Sequence, residues 1–207
     1  MFLVEFLCLN MLAFVLLFLL LVVCCNGCSD FFMNFSDPSL KLSVRTSDLT
    51  SIWNWTITVW PASSDFRSDV IDWNPKYSTL GMTVNWVGDE HYGFPSFFGD
   101  ALNENGLSCS VLALIDSVYE PKSEDSDVDN VLNAVFCHYA TQMFATVSEV
   151  NDALDSIAIY GPDALASHFA LRDATGMSLV IECVGGRKVT YMDMNDGENG
   201  FGIMVRS

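Results

Sequence analysis

An α+β layered fold is the class this sequence predicts, and three observations carry it. Apolar residues recur at a period of two before Ile115 and again from Phe169, the pattern of strands with one buried face. Between Val128 and Ile157 the spacing turns helical. Val111 to Ile115 is a continuous apolar run, which predicts a strand covered on both faces and so a stack of layers rather than an open sheet. The order is many antiparallel strands, two helices, then more strands, with no internal repeat.

The elements follow from the leader onward. Leu12 to Cys25 is almost unbroken hydrocarbon, and Cys25 and Gly27 place small residues at the −3 and −1 positions of a signal-peptidase site. Residues 1–27 are therefore read as a signal peptide, although the first residues lack Lys or Arg and carry Glu5. An uncleaved signal anchor is the alternative. A bacterial lipoprotein fits less well, because Cys25 stands where a Leu is wanted. Cleavage after Gly27 leaves Cys28 with a free α-amine.

From Ser29, Phe31, Met33 and Phe35 alternate against Asp30 and Asn34, and Leu40, Leu42 and Val44 alternate after a Ser36-Asp37-Pro38-Ser39 turn. Asn54 to Trp60 is the clearest amphipathic strand, with Trp55, Ile57 and Val59 on one face. Leu80, Met82, Val84 and Trp86 give another. Gly88 to Asp100 reads as a long aromatic loop. Glu120–Asn130 is an acidic linker into a helix on Val128, Val131, Leu132, Val135, Phe136, Tyr139 and Met143. Thr146-Val147-Ser148-Glu149 is a capping box opening a second helix with core positions Val150, Leu154 and Ile157. Phe169–Leu171, Met177–Val184 and Lys188–Met192 are strands joined by Asp173-Ala174-Thr175-Gly176 and Gly185-Gly186 turns. Phe201–Val205 is a last strand without an evident partner.

Composition narrows the partners. Asp and Glu number 26 against 9 Lys and Arg, for a formal charge of −17, which becomes −16 when the leader takes Glu5 with it. Such an excess of carboxylates argues against nucleic acid or an anionic membrane surface. Of seven cysteines, Cys8, Cys24 and Cys25 go with the leader. Cys28, Cys109, Cys137 and Cys183 remain, too few for a disulfide scaffold, and Cys137 and Cys183 read as buried hydrophobes. Asn34-Phe35-Ser36 and Asn54-Trp55-Thr56 are glycosylation sequons.

An N-terminal Cys carries its own nucleophile and base. The thiol and the α-amine titrate near ~8.5 and ~7.7–8.0, so the amine accepts the thiol proton around neutral pH. Arg45 and Asp48 are candidates to hold thiolate and amine, if the strand ends or bulges at Thr46–Ser47 so that both face Cys28. They also read as an ordinary surface ion pair. Asn103 is a candidate oxyanion donor, and Asn105-Gly106 beside it is a hairpin signal. His91, His138 and His168 lie far apart without metal-ligand spacing, and His138 reads as structural.

Cys28-Ser29-Asp30-Phe31, Ser43-Val44-Arg45-Thr46-Ser47-Asp48-Leu49, Leu102-Asn103-Glu104-Asn105-Gly106-Leu107 and the His168–Glu182 stretch together resemble the choloylglycine hydrolase family, which includes penicillin V acylases and N-acylethanolamine acid amidase-like enzymes. The resemblance runs from Cys28 to about Met204. It implies a four-layer αββα N-terminal nucleophile (Ntn) hydrolase sandwich, incomplete in this chain, that cleaves linear amide C–N bonds without a cofactor or metal. It implies Cys28 as nucleophile, Arg45 and Asp48 positioning it, and Asn103 in the oxyanion hole. Two departures stand out. Arg206 occupies the place of a second oxyanion-hole Asn, and the family's C-terminal part, with a further arginine, is absent from 28–207.

The expectation is thus a secreted or lumenal cysteine amidase acting on a small acyl amide such as a bile-salt conjugate, penicillin V or a fatty-acid amide. Homo-oligomerisation is left open, and membrane contact is expected only if the leader stays. The rival is a truncated, non-catalytic module of the same fold, secreted or membrane-tethered, that binds an amphipathic acyl ligand.

Overall fold

A computed structural model describes residues 28–34, 41–46, 55–64, 72–85, 96–162, 166–193 and 201–205. The leader, Asp48 and Arg206 lie outside the described residues. Two sheets dominate. The smaller has three strands in the order β12-β1-β2: Phe201–Val205, Ser29–Asn34 and Lys41–Thr46. The last strand expected from the sequence therefore does have a partner, antiparallel to β1 with Ser29 opposite Val205.

The larger sheet has seven strands in the order β11-β10-β9-β6-β5-β4-β3, every neighbouring pair antiparallel. These are β3 (Trp55–Trp60), β4 (Thr79–Asn85), β5 (Ser96–Asn103), β6 (Ser108–Ala113), β9 (Ser167–Arg172), β10 (Ser178–Val184) and β11 (Arg187–Asp193). β5 takes up the second half of what reads in sequence as the aromatic loop. Gly176, Gly185 and Gly186 have φ of 97°, 58° and 75°, the left-handed backbone that the two expected turns require.

Because residues directly opposite in a sheet share a face, the register sorts the large sheet into two surfaces. Cys109, Phe169, Leu171, Leu179 and Ile181 lie on one face and are buried under helix α1 (Phe136–Met143), whose Phe136 ring meets Phe169 at 4.6 Å. Full burial of each such ring stabilises by roughly 1.5–3 kcal/mol. Cys109 and Cys137 form a disulfide between β6 and α1, so Cys137 is a cross-link and not the free buried hydrophobe expected. Cys183 is free and buried, as expected.

Three other expectations are corrected. The helix begins only after a 3-10 turn at Asn133–Val135, because Asp129–Leu132 (β7) pairs in parallel with Ile157–Tyr160 (β8). Ile157 is thus a strand residue and not the end of α2 (Val147–Ala153). The buried part of the Val111–Ile115 run stops early, since β6 ends at Ala113 and Ile115 is 68% exposed. The cap on α2 forms: Thr146 accepts from the Glu149 N–H at 3.2 Å, while Glu149 reaches back to the N–H of Ala145 at 2.7 Å.

Candidate active site

The opposite face of the large sheet meets the small sheet, and Cys28 lies where they touch. It is 2% exposed and packs on Leu112 and Ala170, with Val180 alongside. Asp30, two residues along β1, points to the same side as Cys28 by strand periodicity. Arg45 is directly opposite Asp30 on β2, so it joins that side as well. Its guanidinium lies close enough to the Cys28 thiol for the two to interact electrostatically.

Arg45 is held from the large sheet. One nitrogen donates to the Gly99 carbonyl at 2.7 Å and to the Asp100 carboxylate at 2.6 Å. Gly99 is the extra residue of a bulge: Asp100 pairs with Met82, Phe98 with Thr83, and Gly99 falls between. A Cβ there would come within 2.8 Å of the Trp55 ring, so glycine lets ring and strand close together. Burial disfavours the Arg45 charge, but Asp100 and Cys28 outweigh it and raise its pKa. β2 is described as far as Thr46; Ser47 and Asp48, on which the expected shared target of Arg45 and Asp48 depends, lie outside the described residues.

Asp30 belongs to the site although its place among Phe31 and Met33 reads in sequence as a polar outer position. It is fully buried and forms an ion pair with Arg172 of β9, itself 4% exposed. Burial raises the Asp30 pKa, against the pull of Arg172 and Arg45, and lowers that of Arg172, against the pull of Asp30. Asp30, Asp100 and Arg172 were all missed by sequence reasoning. The available signal was an acid two residues after Cys28 and a basic residue inside an otherwise apolar strand.

Asn103 does other work. Its Nδ2 donates to the carbonyls of Thr141 at 2.9 Å and Phe144 at 2.7 Å, at the C-terminal end of α1. Its Oδ1 accepts the N–H groups of Asn105 and Leu107. Both donors of the amide are spent on helix carbonyls that would otherwise lack partners, so in this conformation none is left for an oxyanion. Asn103 is thus a structural residue in this arrangement, and the expected oxyanion role would need its amide released from these partners.

A cavity of about 680 Å³ opens beside this cluster, with Arg45, Asp100 and Arg172 at one end and Ile57, Met82 and Leu102 along its apolar side. Those last three are 72%, 41% and 46% exposed, so the apolar wall is open to a ligand. His168, behind Leu112, is buried and faces Glu182 at 3.3 Å; burial lowers its pKa against the pull of Glu182. Among the described residues no group of His, Cys, Asp and Glu is placed to hold a metal ion.

Residues 28–198 match the family described as linear amide C–N hydrolases, choloylglycine hydrolase family. The chain belongs to that family. It is 25% identical over 182 residues to penicillin V acylase of Pectobacterium atrosepticum, covering 82% of this chain and 47% of that protein. It is 27% identical over 177 residues to the bile salt hydrolase/transferase of Clostridium perfringens, covering 81% of this chain and 50% of that protein. The chain therefore spans about half the length of the curated relatives it matches.

Solved structures agree on the fold. A variant of conjugated bile acid hydrolase from Clostridium perfringens superposes with a TM-score of 0.69 at 23% identity, over 86% of this chain and 53% of that one. Penicillin V acylase from Agrobacterium tumefaciens gives 0.68 at 22% identity, over 86% and 52%. The fold is the Ntn-hydrolase sandwich, represented among the described residues by both sheets and one helical layer.

Proposed function

We propose that this chain is the nucleophile-bearing part of a cysteine Ntn hydrolase that cleaves the linear amide bond of a small acyl amide. The observation that carries the reading is the place of Cys28, buried between the two sheets at the residue where the family match begins, with Arg45 on the same side of the small sheet. With the leader removed, the Cys28 α-amine takes the thiol proton. The thiolate adds to the substrate carbonyl, the tetrahedral oxyanion collapses, and the ammonium protonates the departing amine. Water then cleaves the thioester, releasing the acid and restoring the thiol. Asp48 is proposed to hold the amine.

The substrate class follows from the cavity. An apolar wall of Ile57, Met82 and Leu102 suits a hydrocarbon or aromatic acyl group, as in bile-salt conjugates, penicillin V or fatty-acid amides. The charged end is internally neutralised, Arg45 by Asp100 and Arg172 by Asp30, so the acyl group itself is expected to be uncharged there. A secreted or lumenal location is part of the proposal, supported by the 1–27 leader and the Cys109–Cys137 disulfide.

The test combines processing and turnover. The protein from its native source should begin at Cys28 and hydrolyse at least one of penicillin V, glycocholate or an N-acylethanolamine. Cys28→Ala should lower that rate by about 10³-fold or more, as removal of other nucleophiles does. Turnover that survives in Cys28→Ala, or with the leader still attached, overturns the mechanism. A correctly folded, inactive protein that binds these amides would favour the non-catalytic module.

A further inference from the structure

Cys28 sits in a row of four charges that alternate in sign across two sheets. Asp100 of β5 holds Arg45 of β2, Arg45 lies opposite Asp30 of β1, and Asp30 is paired with Arg172 of β9. The Arg45–Asp100 half ties β2 to β5 at the cavity. The Asp30–Arg172 half places a fully buried carboxylate on the Cys28 side of β1. A buried ion pair rarely stabilises a fold better than apolar residues of the same volume, so its presence asks for another role.

We infer that Asp30 and Arg172 are a positioning pair for Cys28: they dock β1 onto β9 and keep the carboxylate two residues along from Cys28 neutralised. Two facts support docking and neutralisation together. Cys28 packs on Ala170, and Ala170 and Arg172 lie on the same face of β9 as strand neighbours two apart. The strand that seats the thiol is thus the strand that supplies the counter-charge. Without Arg172, Asp30 would lose its nearest counter-charge, and any negative charge it kept would oppose a thiolate. Without Asp30, the buried Arg172 charge would lose that neutralising partner and favour one.

That opposition in sign supplies the test. The rate of Cys28 carboxamidomethylation by iodoacetamide is followed against pH by peptide mass in the whole protein. Cys183 serves as internal control, because burial first and Glu120 second push its thiol up to about 12. The titratable and charged groups around Cys28 are its own α-amine once processed, Asp30 and Arg45 on its sheet, and Asp100, Arg172, His168 and Glu182 on the facing one.

Asp30→Asn is expected to move the half-reaction pH down by about one unit, and Arg172→Gln to move it up by about one unit, the size of effect one nearby charge exerts. Asp30→Asn/Arg172→Met should return close to the wild-type value. Single variants that shift the same way, or neither shifting, overturn the inference. Should the single variants not fold, the double variant decides: a half-reaction pH more than about one unit from wild type is the contrary result. The inference rests on Cys28 being the reacting thiol, but alkylation needs no substrate. Opposite shifts in a protein without amidase activity would remove the proposed function and leave the pair; unshifted profiles in an active enzyme would do the reverse.

Discussion

Asp30 and Arg45 oppose each other across the β1–β2 pair, and each is tied to the large sheet by a different strand. Asp30 goes to Arg172 on β9 and Arg45 to Asp100 on β5. The small sheet is thereby fastened at two points, with Cys28 beside them. Arg45→Lys should expose how much the second fastening matters. Lysine keeps the charge but carries it on a compact, strongly hydrated ammonium, and should hold Gly99 and Asp100 less well. Turnover is expected to fall by about 10–100-fold with little loss of stability. Unchanged kinetics would assign Arg45 to surface charge alone.

Asn103→Ala separates structure from catalysis. Four hydrogen bonds disappear, two of them fully buried, and helix carbonyls and turn N–H groups lose their partner, at a cost of about 2–4 kcal/mol. Urea denaturation reads that loss. The folded fraction should keep kcat within about tenfold, whereas deleting an oxyanion donor costs about 10²–10³-fold.

The Cys109–Cys137 bridge closes a loop of 28 residues between β6 and α1. Cross-linking a loop of that length is worth about 3–4 kcal/mol through the unfolded chain. Cys109→Ala/Cys137→Ala should lower the denaturation midpoint accordingly, and non-reducing peptide mapping of the parent should recover the two cysteines joined. Recovery of Cys183 in a disulfide instead would contradict the arrangement.

His138 makes stability depend on pH. Burial alone holds its pKa down to about 3, in edge-on contact with the rings of Trp60 at 4.9 Å and Trp73 at 5.5 Å. The unfolded chain takes up a proton near the ordinary histidine value of 6.5 and the folded one resists until about 3, so between those values unfolding binds the extra proton. Stability is therefore full above about pH 6.5 and is lost as pH falls, with a slope of up to about 1.4 kcal/mol per pH unit. His138→Phe should flatten that slope in acid denaturation; an unaltered slope would place it on another group.

How far the chain could be read in advance depends on where each signal resides. The β9–β10–β11 meander was legible because its turns carry their own chemistry in Gly176, Gly185 and Gly186. The start of α1 was not. Val128, Val131 and Leu132 fit helical spacing, but their partner strand β8 lies beyond two helices, and local periodicity cannot register a pairing across that distance. The same holds in the site. Cys28 and Arg45 stand in short motifs, whereas Asp30 acquires its meaning from Arg172, far along the chain, and its flanking Phe31 and Met33 give the opposite impression. Asn103 was noticed for its motif, but two of its four partners, the carbonyls of Thr141 and Phe144, are set by the packing of α1 against the β5–β6 hairpin.

The pairing of β1 with β12 carries a consequence for synthesis. β1 is the central strand of its sheet, and one of its two edges is completed only by Phe201–Val205. During translation that edge stays bare while nearly all the intervening residues emerge, a long-range closure of the kind that slows folding and invites association with other chains. Nascent chains stalled before Phe201 should therefore remain with chaperones or aggregate, and those stalled well past Val205 should become protease-resistant around Cys28. The sheet that carries Cys28 thus closes long after Cys28 itself has been made.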